Sequence, residues 1–473
     1  MDNINDFRKQ AHQMVDWIAD YYENIEQYPV KSQVQPGEIL DELPKSAPMQ
    51  AESMEAIMKD FNEIIMKGIT HWQSPNFHAY FPANSSYPSI LAEMLTSAVG
   101  AQCMKWETSP AATELEERVM NWLRDLMNLP KSFQGVIQDS ASSATLAAIV
   151  SAREKITDFN INKKGFVQSK LRVYCSSEAH SSIEKAVKVA GIGSENLVKI
   201  QVDSSGRMIP VQLENAIKAD LKKDLTPCCV VGALGTTGTV AIDPIEEIGN
   251  ICREFNIWFH IDAAYAGSAL ILPELEYLNK GIEFADSFVF NPHKWLFTNF
   301  DCSAYYVKDK AALINTFKIL PIYLKTNTDD VVNNYCDWGV QLGRRFRALK
   351  LWFVMRSFGV EGLRSKLREH LSLTNDFEDW VMKDSDFEIL TPRSLNIVCF
   401  RYNPNNLHNK KEINELNKQL MDKINASGEI YLTHTKINDI FALRFVIGQT
   451  NVQSKHVEQA WHCIKKHANT YRN

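Results

Sequence analysis

Apolar residues recur at helical spacing through "DFRKQAHQMVDWIADYYENIEQYP", where Phe7, Ala11, Met14, Val15, Ile18, Tyr22 and Ile25 make one stripe. Pro29, Pro36, Pro44 and Pro48 then mark an extended connector, and "MEAIMKDFNEIIMKGI" returns to helix. A segment this small has no core of its own and must pack on the main domain or on a second subunit. From about residue 88 to 310 the pattern changes: short β-rich runs ("GVIQ", "RVYCSS", "CCVVGAL", "IWFHID", "SFVF", "SAYYV") alternate with helical ones such as "SSATLAAIVSAREK". That alternation predicts an α/β domain with a mostly parallel sheet covered by helices, which binds ligands at the carboxyl ends of its strands. Beyond about 345, long helices precede strand-like "NIVCFRY" and "FALRFVIG" and a last helix, "HVEQAWHCIKKHA", which predicts a small α+β domain.

Composition narrows the function more than the fold. The 473 residues are 45% hydrophobic and carry a formal charge of −6 with no long Lys/Arg cluster, which argues against nucleic acid or an anionic membrane as partner. No apolar run approaches the ~20 residues that span a bilayer, and "MDNINDFRKQ" lacks a signal-peptide h-region, so the expected location is the cytoplasm. Nine cysteines, an odd count without a CxxC pair, predict reduced thiols rather than a disulfide framework or a zinc site. His456, His462 and His467 fall on one predicted helix, but steps of six and five rotate them by roughly 240° and 140°, so the three cannot share a metal. No metal is expected.

The candidate chemistry lies in "IWFHIDAAYAG" and "FADSFVFNPHKWLF". Asp262 and Lys294 each follow an apolar run, which places both at strand ends. An Asp–Lys salt bridge accounts for such a pair. So does pyridoxal phosphate (PLP), which forms a Schiff base with a lysine and needs an acid beside its ring nitrogen. "QDSASSATL" puts Ser140 and Ser142 at a strand-to-helix turn able to hold a phosphate. "SSEAHSS" and "GALGTTGTVAIDP" place His180 and Thr237 in two further loops of that kind.

Taken with "SPNFHAYFPANSSYPSILAEML", "SPAATELE" and "LGRRFRALKLWFV", these motifs resemble the PLP-dependent aromatic-L-amino-acid decarboxylases, the group II decarboxylases of fold type I, over nearly the whole chain. The resemblance implies a transferase-like fold with a seven-stranded central sheet. It implies a dimer-forming arm (1–87), a large PLP-binding domain (88–360) and a small C-terminal domain (361–473). By similarity Lys294 carries PLP, Asp262 pairs with the ring nitrogen, and His180 and Ala264 cover its two faces, with Thr237 beside them. Ser140, Ala141, Ser142, Asn291 and His293 match phosphate-site positions. Tyr323 matches the catalytic tyrosine that reprotonates Cα. Trp72, Tyr80, Phe81 and Pro82 match the aromatic substrate pocket, Gln102 and Met104 come to it from the second subunit of a homodimer, and Gly343 matches a position where a small residue goes with large aromatic side chains.

The implied activity is decarboxylation of aromatic L-amino acids to amines and CO2. Relatives that produce aromatic aldehydes typically lack the tyrosine or the histidine; an aldehyde synthase, a decarboxylase of glutamate or histidine, and an inactive PLP-binding protein are the alternatives. Three positions depart from the family. Asp139 stands where animal members have glycine, Ala83 replaces a threonine that can meet a ring hydroxyl, and Met104 fills a position often aromatic.

Overall fold

The computed structural model describes residues 3–166, 170–319, 331–404 and 408–471. By backbone packing the chain divides into two compact units, one of residues 83–369 with 391–397, the other of residues 1–82, 370–390 and 398–473.

The larger unit is built on seven strands: β1 (Gln134–Gln138), β2 (Leu171–Ser176), β3 (Leu197–Ile200), β4 (Thr226–Ala233), β5 (Trp258–Asp262), β6 (Ser287–Phe290) and β7 (Ser303–Val307). They lie in the order β1-β7-β6-β5-β4-β2-β3. β7 runs antiparallel to both β1 and β6, and the other pairs are parallel. Six strands therefore end at one edge of the sheet. β5 and β6 are buried at every position, as continuous apolar runs require when helices cover both faces. The helix Ala141–Ile156 packs across β1, β4, β5, β6 and β7 with a face of Ala144, Ala147, Ala148 and Ala152, small residues that let it lie close. The fold class and the mostly parallel sheet agree with the sequence pattern, which had no separate sign of β3: of its four residues only Ile200 is fully buried, and they show no period.

Two glycines explain parts of the motifs. A Cβ on Gly267 of "DAAYAG" would stand 2.4 Å from Cβ of Phe290, so only hydrogen fits between the β5 loop and β6. Gly235 of "GALGTTG" has φ +99° and would meet Ala266 at 2.8 Å.

In the smaller unit β8 (Phe387–Ile389), β9 (Ile397–Tyr402), β10 (Thr433–Ile437) and β11 (Ile440–Val446) form a second sheet in the order β10-β11-β9-β8. Its core joins Phe377, Phe400, Phe445 and Trp461. The helix Ile4–Glu23 belongs to this unit, and Trp17 donates to Asn62. The proline-marked connector is not wholly extended: Glu38–Glu42 forms a short helix, since no proline stands between Pro36 and Pro44 and Gly37 supplies the left-handed entry.

Candidate active site

Asp262 is the last residue of β5, and its Oδ1 accepts the Ala264 N–H at 3.0 Å. On the neighbouring strand β6 ends at Phe290, and Asn291 begins the short helix Pro292–Trp295 that carries Lys294. Asn291 is fixed on three sides: its N–H donates to Ala264 O at 3.0 Å, its carbonyl accepts the Lys294 N–H at 2.9 Å, and its Oδ1 accepts the Ser303 hydroxyl at 2.7 Å. His293 is buried, and its Nδ1 accepts the Cys302 N–H at 2.8 Å, so its proton sits on Nε2. Burial, with the Lys294 charge, lowers that ring to about 3. Trp295, fully buried, stacks on Tyr265 at 5.4 Å and 13°.

The stretch "ANSSYPS" runs alongside "HKWLFTN" and clamps it. Asn84 donates its N–H to His293 O at 2.9 Å and its side-chain amide to Lys294 O at 2.5 Å. Ser86 donates to Phe297 O at 2.7 Å, and Ser89 accepts the Asn299 N–H at 2.9 Å. Lys294 is thus a half-buried amine on a backbone held from both sides.

His180 follows β2. Its Nδ1 accepts both the Ser182 N–H at 3.1 Å and the Ser182 hydroxyl at 2.7 Å, which leaves the ring proton on Nε2. Burial lowers its pKa; Asp262 opposes this and Lys294 adds to it, so the three charges sense one another. The ring is neutral near pH 7.

At the end of β1, Ser140 caps the 141–156 helix, its hydroxyl oxygen accepting the Ser143 N–H at 3.2 Å. Ala141 is buried and Ser142 exposed, beside first-turn N–H groups that have no intrahelical partner. Thr237 is exposed in the loop after β4, in which Thr236 accepts the Ala241 N–H at 3.0 Å. Asp139 gives one oxygen to the Ser140 hydroxyl at 3.0 Å and the other to the Gln341 amide at 2.7 Å.

The proposed substrate residues divide between the units. In the smaller one, Trp72 stacks on Tyr80 at 5.6 Å and 17°, Tyr80 meets Tyr431 through their hydroxyls at 3.3 Å, the Arg444 guanidinium lies 5.2 Å over Phe81, and Pro82 is buried. In the larger one, Gln102 accepts the Arg344 N–H at 2.7 Å, and a Cβ on Gly343 would stand 3.3 Å from its amide nitrogen. Met104, half-buried, accepts the Cys336 N–H at 2.9 Å. Gln102 and Gly343 therefore form one feature of one chain. Tyr323 lies outside the described residues.

Sequence reasoning missed the supports. Asn84 stood in a quoted motif, yet nothing local marks it as the brace of a lysine 210 residues away. Arg344 is buried against Glu116 at 2.6 Å and donates to Ile137 O at 2.8 Å, while Glu116 accepts the Ile137 N–H at 2.8 Å. This joins the Gly343 segment to β1. Among the described residues, one trio of metal-type donors, Glu429, Cys463 and His467, has ligand atoms within 4.8 Å. Burial pushes the Cys463 thiol up to about 11, and Glu429 is bound to Lys466 at 2.8 Å, so neither is poised for a cation. All nine cysteines are buried, and none forms a disulfide.

A half-buried lysine, a carboxylate and a neutral imidazole at one strand edge, with an open helix N-terminus in the same sheet unit, are the donor set that an α/β enzyme with a lysine-bound carbonyl cofactor needs. The comparisons name the family. Residues 36–403 match the pyridoxal-dependent decarboxylase conserved domain. Tyrosine decarboxylase 3 of Petroselinum crispum is 43% identical over 98% of this chain and 92% of its own. A phenylacetaldehyde synthase of Arabidopsis thaliana is 44% identical over 98% and 95%. The crystal structure of Oryza sativa TDC with PLP and tryptamine superposes with a TM-score of 0.97 at 36% identity, covering 100% of this chain and 99% of that one. The chain belongs to the pyridoxal-dependent decarboxylases, in the group II aromatic-L-amino-acid branch. It is a PLP-dependent carboxy-lyase. The donor set fits the cofactor: an amine for its aldehyde, a carboxylate for its ring nitrogen, and hydroxyl and backbone N–H groups for its phosphate.

Proposed function

We propose that the protein decarboxylates aromatic L-amino acids (tryptophan, phenylalanine, tyrosine and hydroxylated forms such as DOPA and 5-hydroxytryptophan) to the corresponding amines and CO2. The observation that carries this reading is the Lys294, Asp262 and His180 constellation, with His180 neutral and its proton on Nε2. Bound to the lysine, PLP supplies an electron sink for the pair released when the Cα–carboxylate bond breaks.

The chain's residues divide the remaining work. Asp262 would hold the ring nitrogen protonated. His180 and Ala264 would fix the ring between them, with Thr237 alongside, and a neutral imidazole adds no positive charge to compete with the electron flow. Ser140, Ala141, Ser142, Asn291 and His293 would hold the phosphate end. Tyr323 would give a proton to Cα, which yields the amine.

For the substrate, Trp72, Tyr80, Phe81 and Pro82 would form the aromatic wall, with Gln102, Met104 and Gly343 completing it from the second subunit. A homodimer is supported by the helix Tyr87–Val99, on which Tyr87, Leu91, Met94, Leu95 and Val99 are all 40–69% exposed, a large apolar face for a single copy. No helix among the described residues is long and apolar enough to cross a membrane, and a cytoplasmic location is part of this reading.

The test compares products. Incubated separately with tryptophan, phenylalanine, tyrosine, DOPA, histidine and glutamate, the holoenzyme should release amine and CO2 from the aromatic substrates alone. Lys294→Ala should lose both turnover and the visible absorbance of the lysine-bound cofactor. Tyr323→Phe should keep the cofactor and shift product from amine to aldehyde. Aldehyde and ammonia from the unaltered enzyme would instead assign it to the synthases, which are equally similar in sequence.

A further inference from the structure

We infer that Asp139 is a negative charge built into the turn that receives the cofactor's phosphate, and that it sets the phosphate affinity of this enzyme below what the turn would otherwise give. The inference rests on the reading of Ser140–Ser142 as the phosphate site and goes beyond it. Asp139 follows β1 directly and precedes the N-cap of the 141–156 helix, so its carboxylate stands at the positive end of that helix, where an anion is best stabilised. A phosphate entering there meets a carboxylate already held beside the capping serine.

Two effects act in the same direction. The first is charge. Among the described residues Asp139 makes no ion pair: one oxygen rests on the Ser140 hydroxyl and the other on the neutral Gln341 amide. Arg347 feels the Asp139 charge, but its guanidinium is turned to Asp301 with contacts of 2.9 and 3.1 Å. The carboxylate is satisfied by hydrogen bonds without being neutralised, and it repels a second anion.

The second effect is the loss of a donor. A serine hydroxyl has one proton. Ser140 directs it to Asp139 while its oxygen lone pairs accept the Ser143 N–H, so nothing remains to donate to a phosphate oxygen. To use Ser140, the phosphate must draw that proton from Asp139 and leave the carboxylate with Gln341 alone. Gln341 keeps Asp139 in place because its own segment is anchored: Arg344, three residues on, is locked to Glu116 and to the β1 carbonyl of Ile137.

The experiment titrates the apoenzyme with PLP and with pyridoxal, which lacks the phosphate, following absorbance and protein fluorescence. The variants are Asp139→Asn, Asp139→Gly and Ser142→Ala, each checked for an unchanged thermal midpoint. Both Asp139 variants are expected to bind PLP on the order of tenfold more tightly than the unaltered protein while pyridoxal affinity stays the same. PLP binding that is no tighter, or pyridoxal binding that tightens equally, overturns the role of Asp139. Ser142→Ala is expected to narrow the preference for PLP over pyridoxal. If it leaves that preference intact, the phosphate-site assignment is at fault, and the inference falls with it for a separate reason.

Discussion

Gly343 shows how one missing side chain makes room for a neighbour. The Gln102 amide occupies the space into which a Cβ at 343 would project, and its carbonyl end holds the Arg344 N–H. Contact at 3.3 Å is tight enough that a larger residue must move the amide. Gly343→Ser should therefore displace Gln102 and lower kcat/KM for tryptophan relative to phenylalanine, by about 1 kcal/mol or roughly fivefold. An unchanged ratio in a two-substrate competition assay would remove the Gln102–Gly343 pair from the specificity wall. At this scale the candidate residues were legible: Lys294 and Asp262 stand out because a charge beside a buried apolar run is unusual. The supports of the lysine segment were not, because Asn84 and Ser86 act on residues some 200 positions away.

Among the elements, the segment through Arg344 is tied to the helix Pro110–Leu126 by a buried ion pair with Glu116, both side chains at most 6% exposed, and both partners hydrogen-bond to Ile137 of β1. Glu116 Oε1 accepts from both Arg344 and the Ile137 N–H, and the Arg344 guanidinium also lies 5.0 Å from the Tyr335 ring centre. Removing one partner strands a charge without water, so Arg344→Ala should destabilise the larger unit by about 3–5 kcal/mol, read as a lowered denaturation midpoint. Arg344→Lys should recover part of this, since an ammonium cannot make the same planar fork. A midpoint unchanged by Arg344→Ala would show that water reaches the pair. Strand β1 was visible in the sequence as the run "GVIQ"; the joint was not. The "LGRR" motif marked the arginine without indicating whether it meets substrate, cofactor or another side chain.

Over the whole molecule, buried titratable groups set the response to acid. Burial holds His78 and His293 at about 3 and His260 at about 4, all below the ordinary histidine value. Each is neutral when folded and takes up a proton on unfolding, so its contribution is complete above pH ~6.5 and is lost as pH falls from there towards the folded value. Asp243 acts oppositely: burial raises it to about 6, so below that pH the folded state gains a proton before the unfolded chain does. Asp286, also raised by burial, acts in the same direction as Asp243, and the three histidines outweigh the two aspartates. Stability should fall as pH drops below ~6, seen as a lowered thermal midpoint between pH 7.5 and 5. A flat profile over that range would mean that the histidines are reached by water.

The amino-acid order by itself determined the α/β class, the alternation that builds a mostly parallel sheet, and the lysine and aspartate of the site. Each of these is written in local patterns: apolar runs, turn residues, and a charge where a strand stops. Tertiary structure alone decided the strand order, which brings the ends of β1, β2, β4, β5 and β6 to one edge. It also decided the ring proton of His180, the clamp of Asn84 on the lysine helix and the capture of Asp139 by Gln341. These last features depend on which distant groups meet at hydrogen-bond distance, and neighbouring residues in a sequence carry no record of that.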